Sequence, residues 1–130
     1  MSEFAKSLAV TASGLQAQAQ RLRHLSENIS NADTPGYRRK TVEFEAKFGG
    51  QGGTTEVETG RVILDRSELE RIFDPSHPLA DASGHYDGSN VNLLIELTDA
   101  REAQRSYEAN LKMFEQARKM SSGLMDLLRR

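Results

Sequence analysis

The sequence predicts a mainly α-helical fold with a small β insert: long N- and C-terminal helices form a coiled-coil-like hairpin around a short β-containing middle segment. Each end of the chain carries apolar residues at intervals of three, four and seven, which places them along one face of a helix. All three prolines and eight of the ten glycines lie between residues 33 and 90. We therefore divide the chain into an N-terminal helix over residues 1–32, a middle segment over 33–90 and a C-terminal helix over 91–130.

The first predicted helix begins at Ser2 or Glu3 and ends at about Ala32, with Ser2 as its N-cap. Its apolar stripe consists of Phe4, Leu8, Leu15, Leu22, Leu25 and Ile29. Gly14 lies inside this helix, where a glycine costs about 1 kcal/mol relative to alanine. A solvent-exposed position in a helix does not require glycine, so we expect another part of the protein to pack closely at Gly14.

The end of the first helix is marked by a turn signal. Pro35 and Gly36 lie at the centre of residues 33–37 and predict a type II turn. Two asparagines, Asn28 and Asn31, precede this turn. We expect their side chains to satisfy backbone groups where the helix ends and the chain changes direction.

Apolar and charged residues alternate in the middle segment, which predicts a half-buried strand over residues 42–48. The rest of the segment indicates, in order, a flexible tip at 49–53, extended structure at 54–57, a second strand at 61–64, either strand or a helical turn at 65–72, and a long loop at 74–90.

The second predicted helix begins with Asn90 or Asn92 as its cap and runs to about Leu128. Its stripe includes Leu93, Leu97, Tyr107, Leu111, Phe114, Leu124 and Leu128. Helices of roughly 30 and 38 residues would be about 45 and 57 Å long, more than the middle segment can cover. The stripe is also wider than one partner helix would bury. The width of the stripe therefore favours contacts with other subunits. The simpler alternative is that the two helices pack only on each other.

Composition excludes several other functions. The formal net charge is −2, which gives no general attraction to nucleic acid or to anionic lipid. The chain has no apolar run approaching the ~18 residues of a membrane span. Its N-terminal residues lack the pattern of a cleaved secretory signal. It also has no cysteine, and hence no disulfide or thiolate metal site.

Candidate chemical sites are weak. The basic residues 38–40 are interpreted as a solvated strand edge rather than a phosphate-binding patch, because Glu43 and Glu45 follow at once. Potential metal ligands occur together only in one loop, at Asp74, His77, Asp81, His85 and Asp87. Their spacing matches no EF-hand loop, so a polar loop is the simpler interpretation. No nucleophile elbow, phosphate loop or dinucleotide fingerprint is present, and we expect no enzymatic activity and no cofactor.

Several motifs together resemble the bacterial flagellar axial proteins, the family of rod, hook and hook-associated components. Residues 28–37, closing a helix that contains 14–18, resemble the N-terminal signature of that family. In the second half, residues 73–81, 88–92 and 105–110 resemble its proximal rod members. The short middle segment is similar to that of rod subunits rather than to the larger inserts of distal rod and hook proteins.

The resemblance implies a structural subunit of the flagellar basal-body rod in the periplasm, exported by the flagellar type III system without a cleaved signal. Its implied partners are further copies of itself, other rod proteins, the inner-membrane basal ring and export apparatus below, and the distal rod above. Neither nucleic-acid binding nor membrane insertion is implied. The implied subunit contacts are the two apolar stripes together with Asn28, Asn31 and Asn110. The alternatives are a sister proximal rod protein and, from another class, a soluble helical-hairpin adaptor or export chaperone.

Overall fold

A computed structural model describes residues 3–49 and 53–129 of the chain. In chain order the elements are α1 (Glu3–Ser30), β1 (Lys40–Phe48), β2 (Thr55–Leu64), β3 (Arg71–Phe73), β4 (His85–Asp87) and α2 (Leu93–Leu128). The predicted fold class is confirmed: two long helices enclose a small β segment, here two antiparallel hairpins, β1–β2 and β3–β4. Ser2 and the glycine tip at residues 50–52 lie outside the described residues.

The two helices form an antiparallel hairpin. The end of α1 meets the start of α2, where the side chains of Asn28 and Glu96 are hydrogen-bonded. Near the middle, Gly14 faces Asn110. At the other end Phe4 and Met120 line one groove. Because α2 has 36 residues and α1 has 28, the last turns of α2 extend past the described start of α1.

The hydrophobic core between the helices is thin. Among the described residues, the buried hydrophobic side chains are Ala17, Leu25 and Ala103. Thr11 and Ser13 of α1 are also buried, so the closest helix contacts are made largely by small side chains. Small residues at these positions let the two backbones approach each other, but they bury little apolar area. Most of the large apolar side chains predicted on the stripes therefore remain partly or fully accessible.

Gly14 is a point of close approach, as expected. A Cβ atom added there would lie 3.0 Å from Asn110 Nδ2. We predict that Gly14→Ala gains little in the native chain, because crowding against Asn110 offsets the better helix propensity. In an Asn110→Ala background the same change should stabilise the protein by about 1 kcal/mol. Urea unfolding of the four proteins measures this coupling, and identical effects of Gly14→Ala in both backgrounds would contradict it.

The first hairpin packs against α1 through the edge of a strand. β1 and β2 pair from Lys40 opposite Leu64 to Phe48 opposite Thr55, and the register shifts once, near Glu43. The backbone N–H of Val57 in β2 donates to Ser13 Oγ of α1 at 3.0 Å. At this point α1 covers the outer edge of β2. At the other end of the hairpin, Asn28 of α1 bonds to the backbone of Lys40 in β1.

This edge-on packing overturns the predicted burial of β1. The strand exists, but Phe44 and Phe48 are 41% and 81% exposed, and Ala46 is exposed as well. The alternating pattern predicted a covered face, and the helix covers an edge instead. The two extended pieces predicted at residues 54–57 and 61–64 form one continuous strand, β2.

The second hairpin, β3–β4, differs from the prediction at both of its strands. Residues 65–70 form neither the strand nor the helical turn that was predicted, and β3 begins only at Arg71. The loop predicted at 74–90 was wrong in part, because it contains β4, which pairs with β3. Three-residue strands are too short to give a periodic pattern. Arg71 stabilises this hairpin through ion pairs with Asp81 and Asp87.

The helix boundaries follow the predicted capping chemistry. α1 ends at Ser30, two residues before the predicted end. The N–H of Tyr37 donates to the carbonyl of Thr34 at 3.1 Å and Gly36 has φ +75°, which confirms the type II turn. Asn92 is the N-cap of α2, with its side chain accepting from the N–H groups of Leu94 and Ile95. Asn90, the other predicted cap, instead accepts from the N–H of Arg39.

Candidate assembly surface and its buried anchor

The end of α1 is tied to the middle segment by a buried asparagine. Asn28 is 0% exposed. Its Oδ1 accepts from the Tyr37 hydroxyl and from the N–H of Lys40, both at 2.8 Å. Its Nδ2 donates to the carbonyl of Lys40 at 2.9 Å and to Glu96 Oε2 at 3.2 Å. All four hydrogen-bonding positions of the amide are therefore used.

Asn31 plays a smaller part at the same helix end. Its Nδ2 donates to the carbonyl of Glu27 at 2.8 Å, and its Oδ1 accepts from the hydroxyl of Thr34. Asn31 thus satisfies a backbone group at the end of α1, as expected, whereas the backbone groups bonded by Asn28 lie beyond the turn, at Lys40 in β1.

Glu96 connects this cluster to α2. Its side chain is buried, and its Oε1 accepts from Arg39 Nε at 2.5 Å. Arg39 reaches further, to Asp65 Oδ2 at 3.3 Å. A buried carboxylate is tolerated only with such partners, since an unpaired charge in the interior is very costly. We refer to Asn28, Tyr37, Arg39 and Glu96 as the anchor network; it joins the end of α1, the turn, the start of β1 and the start of α2.

The electrostatics of the network keep Tyr37 and Arg39 in the protonated forms that their hydrogen bonds require. Burial, reinforced by Glu27 and Glu96, raises the pKa of the Tyr37 hydroxyl, so it remains protonated and can donate to Asn28. Burial works against the charge on Arg39, but the hydrogen bond and negative charge of Glu96 raise its pKa above the ordinary value. Arg39 therefore stays charged opposite Glu96.

The interpretation of residues 38–40 as a solvated edge was wrong. Arg38 donates to the carbonyls of Asp65 and Ser67, and Lys40 Nζ lies 2.7 Å from Glu27 Oε2. That bond lowers the pKa of Glu27 and raises the pKa of Lys40. Arg38 thus connects two parts of the middle segment, whereas Lys40 connects the middle segment to α1.

Sequence reasoning also missed Glu96. Its signal was present, because Glu96 lies three residues after Leu93 and seven before Ala103, on the inner face of α2. A carboxylate at such a position indicates a buried partner of opposite charge. The local pattern could not identify Arg39 as that partner, since 57 residues separate the two.

The predicted residues of α1 lie along the helix hairpin to different depths. Leu25 is 6% exposed. The others are half-buried: Phe4, Leu8, Leu15, Leu22 and Ile29. Each of these retains surface that α2 does not cover. The single chain therefore brings the α1 stripe to the helix interface without completing its burial.

The predicted residues of α2 fall into a middle group and two end groups. The middle group is half-buried and consists of Tyr107, Asn110, Leu111 and Phe114. We define the base patch, at the start of α2, as Leu93, Leu94, Ile95 and Leu97, which are 46–75% exposed. We define the tip patch, at the end of α2, as Leu124, Met125, Leu127 and Leu128, which are 43–78% exposed.

An apolar groove lies at the end of the helix hairpin where α1 begins. It has a volume of about 460 Å³ and lies between the start of α1 and the later part of α2. Its apolar lining comes from Phe4, Met113, Ala117 and Met120. Methionine side chains adapt to partners of different shape, as suits a contact surface.

The polar loop near β4 is occupied by local contacts. His77 stacks on Tyr86 with ring centroids 3.9 Å apart, and His85 lies against Phe73. The hydroxyl of Ser83 and the cation of Arg71 lower the pKa of Asp81 well below its usual range. Within residues 3–49 and 53–129, no three His, Asp or Glu side chains come together as a potential metal site, and no helix is long and apolar enough to cross a membrane.

Comparison with known proteins matches both halves of the chain. The family model described as "Flagella basal body rod protein" matches residues 8–38, and the one described as "Flagellar basal body rod FlgEFG protein C-terminal" matches residues 82–127. The first match covers most of α1 and the turn, including Asn28 and Tyr37. The second covers β4 and nearly all of α2, including Glu96. Three of the four anchor-network residues therefore lie in matched regions, and Arg39 lies one residue beyond the first.

Individual relatives extend the match to almost the whole chain. The flagellar basal-body rod protein FlgC of Agrobacterium fabrum is 43% identical over 127 residues, covering 92% of this chain and 91% of the relative. FlgC of Escherichia coli O6:H1 is 32% identical over 85% of this chain and 87% of its own length. FlgC of Bacillus subtilis is 33% identical over 81% and 85%. The chain therefore belongs to the flagellar basal-body rod protein family and is FlgC-like.

Proposed function

We propose that this protein is a structural subunit of the proximal part of the flagellar rod, polymerising through its terminal helices into the drive shaft that transmits motor torque. The observation that carries this proposal is the incomplete burial of the apolar side chains of the two helices. The chain buries few large apolar side chains of its own and exposes the base patch and the tip patch.

The energetics support assembly over a self-contained hairpin. Burying one leucine or methionine side chain contributes about 1.5–3 kcal/mol. The eight side chains of the two patches could thus contribute strongly to a contact with neighbouring subunits, whereas in the isolated chain they face water. Such a subunit gains stability when neighbours cover it.

A drive shaft needs stiffness, and the architecture is suited to provide it. Long helices packed side by side resist twisting through many small contacts distributed along their length. The anchor network fixes the middle segment to the helix hairpin, so that the middle segment and the helices turn together. We expect the middle segment to lie further from the rod axis than the helices.

The proposed location follows from the same assignment. The subunit would reach the periplasm through the flagellar type III export system, contact the inner-membrane basal ring and export apparatus at the base, and meet other rod proteins and the distal rod above. Copies of itself would be direct neighbours. The role is one of assembly rather than catalysis.

The proposal is tested by complementation. In a bacterium whose own FlgC has been deleted, expression of this chain should restore rods in isolated basal bodies seen by electron microscopy, and should restore swimming. A chain with residues 93–128 removed is the control and should restore neither. If the full chain is exported but restores no rods, or if the rods that form do not contain it, the proposed function is wrong.

A further inference from the structure

We propose that the free edge of β1 pairs with the same edge of a second copy, so that the unassembled protein forms a closed two-fold dimer through residues 44–48. The two β1 strands run antiparallel and cross at Ala46, and the two hairpins join into a four-stranded sheet. This contact lies on the middle segment rather than on the terminal helices, and it does not depend on the proposed rod function.

The direction of the backbone groups along β1 is defined at its two ends. At Lys40 both the N–H and the carbonyl bond to Asn28 of α1, so these groups point away from β2. At Gly49 the N–H donates to the carbonyl of Thr54, so it points across the hairpin. The extra residue at the register shift lies in β2, which leaves the alternation along β1 unbroken. Even-numbered residues of β1 therefore direct their backbone groups outward.

The helix α1 covers this edge only at the start of β1. Residues 40–42 are half-buried, whereas every residue from 43 to 48 is exposed. Further along the hairpin, α1 lies beside β2 instead, where Ser13 bonds to Val57. The N–H and carbonyl groups of Phe44, Ala46 and Phe48 therefore line an open strand edge, which is a template for pairing with another strand.

The side chains of the same three residues are apolar and share one face. Alternate residues of a strand point to the same side of the sheet, so Phe44, Ala46 and Phe48 lie together. The two phenylalanines are 41% and 81% exposed. A strand added along this edge would extend the apolar face and remove part of it from water.

The charges of residues 44–48 identify a second copy as the added strand. In an antiparallel contact centred on Ala46, Glu45 of each copy faces Lys47 of the other. The same register places Phe44 opposite Phe48. The segment is thus complementary to itself when reversed, with two opposite-charge pairs and two aromatic pairs across the contact.

The neighbours within the hairpin leave these charges available. Glu45 lies opposite Glu58 of β2, which is an unfavourable like-charge pair. Lys47 lies opposite Glu56. Within residues 3–49 and 53–129, neither Glu45 nor Lys47 forms a salt bridge. A lysine from a second copy would therefore supply the cation that Glu45 does not find in this part of its own chain.

The charges also select one register among its neighbours. A contact centred on Glu45 would place that residue opposite its own copy, and one centred on Lys47 would do the same for the lysine. A contact centred on Phe44 would place Glu43 opposite Glu45. Like charges directly opposite each other destabilise a strand pair. The contact centred on Ala46 avoids all three.

A two-fold contact of this kind closes on itself. Each copy contributes the same edge, so both free edges are used and addition stops at two copies. The two copies point in opposite directions, and the contact therefore cannot be repeated between subunits that all point one way along a shaft. The dimer is a form of the free subunit, in which the open strand edge is covered before assembly.

Sedimentation velocity of the purified full-length protein tests the contact. Five residues on each side make a small interface, so the native chain should pass from monomer to dimer between about 10 µM and 1 mM. Glu45→Lys places lysines opposite each other and should weaken the dimer about tenfold or more, although it pairs well with Glu58 inside the hairpin. The double variant Glu45→Lys/Lys47→Glu exchanges the two charges and should restore native association.

Cysteine cross-linking tests the register, because the chain contains no cysteine of its own. In the proposed dimer the Cα atoms of the two Ala46 residues are about 5.5 Å apart, which is within the range of a disulfide. Mild oxidation of Ala46→Cys should therefore give mainly disulfide-linked dimer. The matched control is Thr55→Cys, which is also exposed but lies on β2, the outer strand of the proposed sheet. It should give little linked dimer.

Three results would overturn the two-fold contact. These are a native chain that stays monomeric over the whole concentration range, association of Glu45→Lys equal to that of the native chain, and equal cross-linking of the two cysteine variants. Association that ignores the charge changes would show that another surface joins the copies. Complementation judges the rod function separately, since it measures rods and swimming rather than pairing of the free subunit.

Discussion

Replacing Glu96 with alanine is expected to lower the free energy of unfolding by about 3–5 kcal/mol, the usual result of removing one member of a buried ion pair. Arg39 would lose its 2.5 Å partner, and Asn28 Nδ2 would lose its bond to the carboxylate. The buried Asn28 and the half-buried Arg39 would thus be left partly unsatisfied, which costs more than the lost bonds themselves. Urea unfolding followed by circular dichroism measures the effect.

Two further variants make the test specific. Glu102→Ala removes a carboxylate from the exposed side of the same helix and should change stability by no more than about 0.5 kcal/mol. Glu96→Gln keeps an acceptor for Arg39 and should fall between the two, which gives a measurable protein even if Glu96→Ala does not fold. Equal stabilities of Glu96→Ala and Glu102→Ala would contradict the anchoring role.

Leu22→Asp and Leu111→Asp are each expected to abolish rod assembly and swimming while export continues. Both leucines are half-buried in the single chain. A carboxylate at either position would place an unpaired charge in the helix interface and in any subunit contact that covers it. Swimming halos, rods in isolated basal bodies and the amount of exported protein together measure the outcome.

The controls for this prediction are Gln16→Asp and Gln104→Asp, which add the same charge at exposed positions on the same helices. They should swim normally. Normal swimming by both leucine variants would show that these stripes are not needed for assembly.

The helices and the turn between α1 and β1 could be predicted from the sequence because their signals are local. Apolar periodicity gave the length of α2, Asn92 gave its start, and Gly36 gave the turn. Gly14 also indicated a close contact, although only the fold identified Asn110 as the other side. The contribution of the predicted residues to subunit contacts stays a prediction.

What local patterns could not provide were the long-range partners. The alternation in β1 indicates a strand, but the way the β1–β2 hairpin meets α1 depends on the bond from Val57 of β2 to Ser13, 44 residues away. Likewise, the local sequence of residues 38–40 is typical of exposed basic residues, and only the fold places their acidic partners Glu27 and Glu96 beside them. The short strand β4 depends on pairing with β3 and has no periodicity of its own.

The side-chain amide of Asn28 contacts both backbone groups of Lys40, exchanging two hydrogen bonds with the outer edge of β1 as a neighbouring strand would. The end of α1 thereby acts as a one-residue third strand. A sideways force on the hairpin cannot simply swing it about the loop at Gly36, because that motion would have to break both bonds at once. The two hydrogen bonds share the applied force. We therefore expect the junction between α1 and the hairpin to resist bending rather than act as a hinge.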